Sequence, residues 1–487
     1  MVAEFQIRAW QGDARHVQVL VHSSPAGDIR KPLTVACNPQ QLEAARAVFR
    51  PGWYVGSDIE GELARMGRGL AELLLPRPVY ALLLSSLQSL APGEMLRLRL
   101  CLDAALVDLP WEFLYRPDVE EAAAMTGFLL FDHRISLVRE APAFERGPAP
   151  AQAPAELAGR QRILYAGARW FDEGGVRDQW GVQTEYQKLA GSLARVSDFL
   201  EFEFLPMEED IEGALSKPAV IFHYSGHTDV DKNAGYLVRD VRLAQGQTQA
   251  VGKLYSFELA NLLQRAGTRL AVFSACNSGR WEFVEPLLRA GLPALVGTQG
   301  ELTVQGAQIF CETLYARLAV GLSLDEALAA ARFQLLKEGG FYGRPSVEWG
   351  SFMAYMPATD AVLLPRPAEQ PEVAASQEVA RRSSQEAIAE VSGRIGSAPE
   401  TASTINRISL RKAIVKSFTL DEEALLCADI RQALADDGVD LWLDLDALGG
   451  RKQGEEALVL ALIEYLERRG YLSYLVEAVR RERPGSV

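Results

Sequence analysis

Ala219-Val220-Ile221-Phe222-His223-Tyr224-Ser225-Gly226-His227 is an apolar run that ends on Ser-Gly and a histidine. Consecutive β-branched and aromatic residues read as a strand covered on both faces, and the Ser-Gly pair supplies the turn that stops it. The same grammar recurs in Leu270-Ala271-Val272-Phe273-Ser274-Ala275-Cys276-Asn277-Ser278-Gly279, where the run ends on a cysteine. Two strands that each deliver a reactive side chain at the carboxyl end predict an open α/β sheet with a crevice along that edge.

Working outward, strands are predicted at 162–167, 199–205, 219–225, 268–274 and 293–297, and helices between them at 182–196, 208–216, 255–266, 282–290 and 303–320. Ser323 and Glu326 form a capping box for a further helix through Lys337, and 346–356 closes the sheet as a strand. This pattern, from 146 to 360, is that of a mostly parallel sheet flanked by helices. Residues 1–145 read as an N-terminal α/β half, with strands at 5–10, 17–21 and 96–100 and a helix at 58–75. Asp108-Leu109-Pro110-Trp111-Glu112-Phe113-Leu114-Tyr115 is a dense apolar cluster that anchors a core. Pro365, Pro367 and Pro371 open a segment poor in large apolar residues, so 361–403 is predicted to be a flexible linker with a weak helix near 374–392. Residues 404–487 regain helical spacing through Leu410, Ile414, Phe418, Leu425, Leu426 and Ile430, then Leu462, Ile463, Leu466, Leu475, Val476 and Val479. They form a small all-α module.

Composition narrows the chemistry. At 487 residues and 48% hydrophobic content the chain can build more than one core. A net charge of −14 leaves no basic field for nucleic acid or anionic lipid, and no apolar run reaches the roughly 20 residues of a membrane span. The first ten residues lack a secretory pattern, which predicts a cytoplasmic protein. Cysteines 37, 101, 276, 311 and 427 are widely spaced without a CxxC pair, which argues against disulfides and structural zinc. Neither GxGxxG nor GxxxxGK[ST] is present, and no cofactor is expected.

A thiol becomes a nucleophile when an imidazole or the positive end of a helix raises its thiolate fraction. Cys276 follows a buried strand, and Asn277-Ser278-Gly279 permits a sharp turn toward the helix at 282–290. His227 lies 49 residues upstream, room for one strand-helix-strand excursion back to a neighbouring strand. Alone, a cysteine in such a setting is more often a core residue. His223, inside the strand, reads as a core histidine, and Glu185 as a residue interacting with its helix dipole. A metal at His223 and His227 would need carboxylate or thiolate partners that the sequence does not place nearby, so none is predicted. Asp229 and Asp231 are either solvated loop carboxylates or the lining of a pocket for a basic side chain.

HYSGH followed by SACNSG resembles the motifs of the caspase-like clan, and the span from Leu96 to Met356 resembles the CHAT peptidases. Supporting segments are Leu109-Pro110-Trp111-Glu112-Phe113, Ile135-Ser136-Leu137-Val138-Arg139, Ala290-Gly291-Leu292-Pro293-Ala294-Leu295-Val296-Gly297 and Glu348-Trp349. The resemblance implies Cys276 as nucleophile and His227 as base, with the backbone N–H groups of Cys276 and Thr228 stabilising the oxyanion. The family usually has glycine where this chain has Thr228. Residues from about 405 to 484, including Leu410-Arg411-Lys412-Ala413-Ile414 and Leu466-Glu467-Arg468-Arg469-Gly470-Tyr471-Leu472, resemble bacterial effector-associated domains. That implies a death-like adaptor, a partner protein bearing a matching module, and a role in defence with a protein substrate such as a gasdermin-like effector. The alternatives are a catalytically inactive scaffold and a thiol-dependent acyl hydrolase.

Overall fold

The computed structural model describes residues 2–49, 59–119, 127–140, 161–172, 175–177, 181–193, 200–207, 210–231, 234–243, 249–300, 302–338 and 347–356, and in the C-terminal part 410, 414–418, 425–430, 432–433, 459, 462–463, 466 and 472–483. The chain opens with β1 (Val2–Asp13), β2 (His16–Ser23) and β3 (Ile29–Ala36), then α1 (Pro39–Arg46), α2 (Ile59–Leu74) and α3 (Arg77–Gln88), and returns with β4 (Met95–Leu102) and β5 (Ile135–Glu140). The second half runs β6 (Gln161–Gly167), β7 (Arg169–Asp172), β8 (Gly175–Arg177), α4 (Val182–Leu193), β9 (Leu200–Pro206), α5 (Ile211–Ala214), β10 (Ile221–Ser225), β11 (Thr228–Asp231), β12 (Ala234–Leu243) and β13 (Gln249–Tyr255). It continues through α6 (Ser256–Arg265), β14 (Leu270–Ser274), α7 (Trp281–Arg289), β15 (Ala294–Thr298), α8 (Val304–Ala319), α9 (Leu324–Glu338) and β16 (Phe352–Tyr355). A last helix, α10, covers Leu472–Glu482.

Eleven strands form one sheet in the order β3-β2-β1-β4-β5-β16-β15-β14-β10-β6-β9. Only the β1–β2, β2–β3 and β15–β16 pairings are antiparallel. The central strands β10, β14 and β15 are buried at every position, which is why their sequences are unbroken apolar runs rather than alternating ones. The late strand β16 lies between the halves, antiparallel to β15 and parallel to β5. One apolar core therefore runs through residues 1–145 and 146–360. Trp349 sits at its middle, with ring centroids 4.8, 5.2 and 4.5 Å from Phe113, Phe128 and Phe131. Beside it the fully buried Glu112 accepts a hydrogen bond from the fully buried Arg139.

Most predicted elements are present to within a few residues. The helix expected over 208–216 is a single turn, Ile211–Ala214, capped by the Asp210 side chain on the Gly213 N–H. The closing strand is only Phe352–Tyr355, because a 3-10 turn occupies Glu348–Gly350. A second sheet, β11-β12-β7-β8 with β13 on β12, was not predicted. Its strands carry Arg169, Asp172, Arg177, Asp229, Asp231, Asp240 and Arg242, which interrupt any apolar run.

In the C-terminal part, Leu410, Ile414, Phe418, Leu426, Ile430, Leu462, Leu466, Leu475 and Val479 are buried in an apolar cluster of their own. Leu425, expected on that face, is 67% exposed instead. The predicted linker and its weak helix lie outside the described residues. Among those described, no single helix is long and apolar enough to cross a membrane.

Candidate active site

β10 and β14 are adjacent and parallel, and their pairing runs in register from Ile221 with Leu270 to Ser225 with Ser274. His227 and Cys276 each stand two residues beyond that last pair. Adjacent strands lie about 4.8 Å apart, so the register brings the two motifs side by side at the carboxyl edge of the sheet. A direct bond ties the two loops, since the Thr228 hydroxyl donates to the main-chain carbonyl of Cys276.

The loop after Cys276 is held at almost every residue. Asn277 has a left-handed backbone, φ 59°, among the described residues the only non-glycine with positive φ. Asparagine tolerates this conformation, and here it is locked by a reciprocal pair: the Asn277 N–H donates to Gly300 O at 2.9 Å, and Gly300 N–H donates to Asn277 Oδ1 at 3.0 Å. The buried Ser278 hydroxyl donates to Phe273 O at 3.2 Å and accepts from the Thr298 N–H at 2.9 Å. Gly279 N–H donates to Thr298 O at 2.7 Å, and Tyr355 Oη donates to Gly279 O at 2.9 Å. Gly297 lets this turn approach β15, for a Cβ there would lie 2.9 Å from Gly279 N and Ser278 O.

Cys276 is half-buried, and its Sγ accepts a hydrogen bond from the Leu302 N–H at 3.4 Å. Leu302 immediately precedes Thr303, the N-cap of the sixteen-residue α8, so the positive end of that helix adjoins the sulfur and stabilises an anion there. The sequence pointed instead to the helix following the cysteine. That helix, α7, begins at Trp281.

The histidine turn is organised by Tyr224. Its Oη accepts from the His227 N–H at 3.0 Å and offers its single proton to the carbonyls of His227 and Val238, at 2.8 and 2.7 Å. Burial pushes this phenol far above its ordinary range, so it remains a donor. Gly226 makes the turn with φ 152°, and a Cβ there would meet Tyr224 Oη at 2.5 Å and Ala168 Cβ at 2.8 Å. Gly226→Ala is therefore expected to cost about 1–3 kcal/mol. Urea denaturation measures that loss, and an unchanged midpoint would refute the strain argument. His227 itself is exposed to solvent.

Thr228 opens β11 and pairs with Leu237, while Val238 N–H donates to His227 O at 2.9 Å. In an antiparallel ladder this makes Thr228–Leu237 a non-hydrogen-bonded pair, so the Thr228 N–H is turned away from β12. A β-branched residue fits extended backbone, and threonine here demands no left-handed geometry. The special backbone that glycine would provide is supplied one position away from the histidine, by Gly226.

The family assignment rests on the length of chain matched. The CHAT domain matches residues 64–357, well over half of the chain. This chain belongs to the CHAT-domain family. No curated protein matches it. Among solved structures, separase of Saccharomyces cerevisiae in its complex with securin is 12% identical, covering 66% of this chain and 20% of its own, with a TM-score of 0.31. RgpB of Porphyromonas gingivalis, in a complex of its pro- and mature domains, is 10% identical over 65% of this chain and 75% of its own, with a TM-score of 0.34. This chain thus spans a fifth of the separase chain.

Within the CHAT domain the two aspartates after His227 are engaged locally. Asp231 Oδ2 accepts from Lys253 Nζ at 3.0 Å, and the exposed Asp229 accepts from its neighbour Val230 N–H at 2.8 Å. His223 is fully buried as expected, but its surroundings were not foreseen. Glu185 of α4 and Cys311 of α8 gather around it, with one donor atom from each of the three within 4.8 Å of the others. Glu185 thus faces the core rather than its helix dipole alone. The signal was there in Val182, Glu185, Leu189 and Leu193, which share the buried stripe of α4. A cavity of about 350 Å³ elsewhere in the domain, lined by Leu87, Met95, His133, Leu322 and Glu326, touches neither motif.

Proposed function

We propose that this chain is a cysteine endopeptidase in which Cys276 is the nucleophile and His227 the general base. The observation that supports it is the register of β10 on β14, which sets both motifs at one sheet edge, tied by Thr228. The Cys276 thiolate would attack the scissile carbonyl carbon and form the C–S bond. The resulting oxyanion would receive the N–H groups of Thr228 and Cys276, each such donor being worth about 3–4 kcal/mol. Imidazolium His227 would then protonate the leaving amine as the C–N bond breaks. Water, deprotonated by His227, would hydrolyse the thioester and return the free thiol.

The test is cleavage of candidate protein partners and of a peptide panel varied at one position, by wild type and by Cys276→Ala. If wild type cleaves nothing that the variant spares, the reading fails. Thr228 lends no support to an inactive scaffold, since its backbone is unstrained and its N–H is turned out of the second sheet.

For residues 404–487 we propose an adaptor role like that of effector-associated domains, recruiting the peptidase in defence signalling toward a protein substrate, gasdermin-like in the simplest case. The separate apolar cluster of that part supports an independent module. Deleting 404–487 is expected to abolish partner recovery in a pull-down while leaving peptide cleavage in place. Unaltered recovery would sink the adaptor role.

A further inference from the structure

The buried carboxylate of Glu185 lies beside the histidine motif and is not used by the proposed chemistry. Its side chain is 2% exposed, and a carboxylate in that setting is costly unless its oxygens are met. Oε2 accepts the Ser225 hydroxyl at 2.8 Å. Oε1 lies 3.5 Å from His223 Nε2, and the other ring nitrogen of His223 is hydrogen-bonded to Tyr315 Oη at 2.8 Å. The imidazole is also stacked on Tyr165, with centroids 4.6 Å apart and planes 13° from parallel. Successive odd positions of a strand face one side, so residues 223 and 225 present the same face of β10 to α4. Two residues further on comes His227.

We propose that Glu185 is a positioning residue for His227, acting through Ser225. The last residues of β10 are then held from both faces. On one side Glu185 Oε2 fixes Ser225, while Oε1 and His223 Nε2 face each other at 3.5 Å without a hydrogen bond; on the other, Tyr224 Oη fixes the His227 main chain. Cys311 completes the cluster as a thiol, since burial, and next the charge of Glu185, push it well above its ordinary range. Glu185, His223 and Cys311 could also hold a metal ion, and the experiment below separates that from a clamp. This inference rests on the proposed dyad.

The experiment follows the rate of Cys276 alkylation by iodoacetamide against pH, read by peptide mass spectrometry, which needs no natural substrate. His227→Ala is expected to move the profile toward that of an ordinary thiol near pH ~8.5. Glu185→Leu and the milder Ser225→Ala should move it the same way and slow the reaction about tenfold at neutral pH. Glu185→Gln, which keeps an acceptor for Ser225, should recover most of that rate. A shift with His227→Ala but none with Glu185→Leu or Ser225→Ala would overturn the positioning role and leave the dyad standing. No shift with His227→Ala would remove both. A stoichiometric metal in the purified protein, lost in Glu185→Gln, would also overturn the clamp.

Discussion

Cys276→Ala is expected to lower peptide cleavage by on the order of 10⁴-fold or more, with a denaturation midpoint close to that of wild type. The side chain is only half-buried, and the loop around it is held by Asn277, Ser278 and Gly279 rather than by the sulfur. Removing one sulfur should therefore separate chemistry from stability. His227→Ala should fall by a similar factor, and the double variant should be little worse than either single one, because two groups acting as one unit are strongly non-additive. Steady-state cleavage of the best peptide of a panel measures all three. Additive losses would mean that the two residues act separately.

Glu112→Leu is expected to be the most damaging single change to stability, at about 3–5 kcal/mol. The Arg139 guanidinium is fully buried and donates to Glu112 and to Val107 O. Burial lowers its proton affinity, yet the Glu112 charge holds that affinity above the usual range. Taking away that carboxylate leaves a cation inside the core without its buried ion-pair partner. Replacing both partners, as Glu112→Leu with Arg139→Met, should recover most of the loss. Urea unfolding of the two singles and the double gives the coupling, and a double no better than the worse single would refute the argument.

Much of this arrangement was legible because both faces of the central sheet are covered. Val220-Ile221-Phe222 and Leu270-Ala271-Val272-Phe273 have no other physical reading than buried strands, and their ends fix where His227 and Cys276 emerge. The second sheet was illegible for the complementary reason. Strands such as Arg169–Asp172 and Thr228–Asp231 carry charges, and the second is half solvated, so a search for apolar runs passes over them. Contacts distant in sequence were hidden as well. Leu302 reaches the sulfur from 26 residues away, and Glu185 reaches Ser225 across 40. Neither has a local motif, and only the position of Glu185 on the buried stripe of α4 hinted at its role.

The place of β16 has a bearing on how the molecule is made. Its four residues fill the gap between β5 and β15, and they are synthesised after every other strand of the main sheet. Until they leave the ribosome, the nascent chain carries two unpaired apolar edges in facing halves. At about 5–20 residues per second the β5 edge stays open for roughly 10–40 s, and both edges together for roughly 3–11 s after β15 is complete. Exposed edges invite wrong partners, so this is the window in which chaperones would act. A product that stops short of Phe352 would keep both edges open, so the closing strand makes completion of the main sheet depend on completion of the CHAT domain.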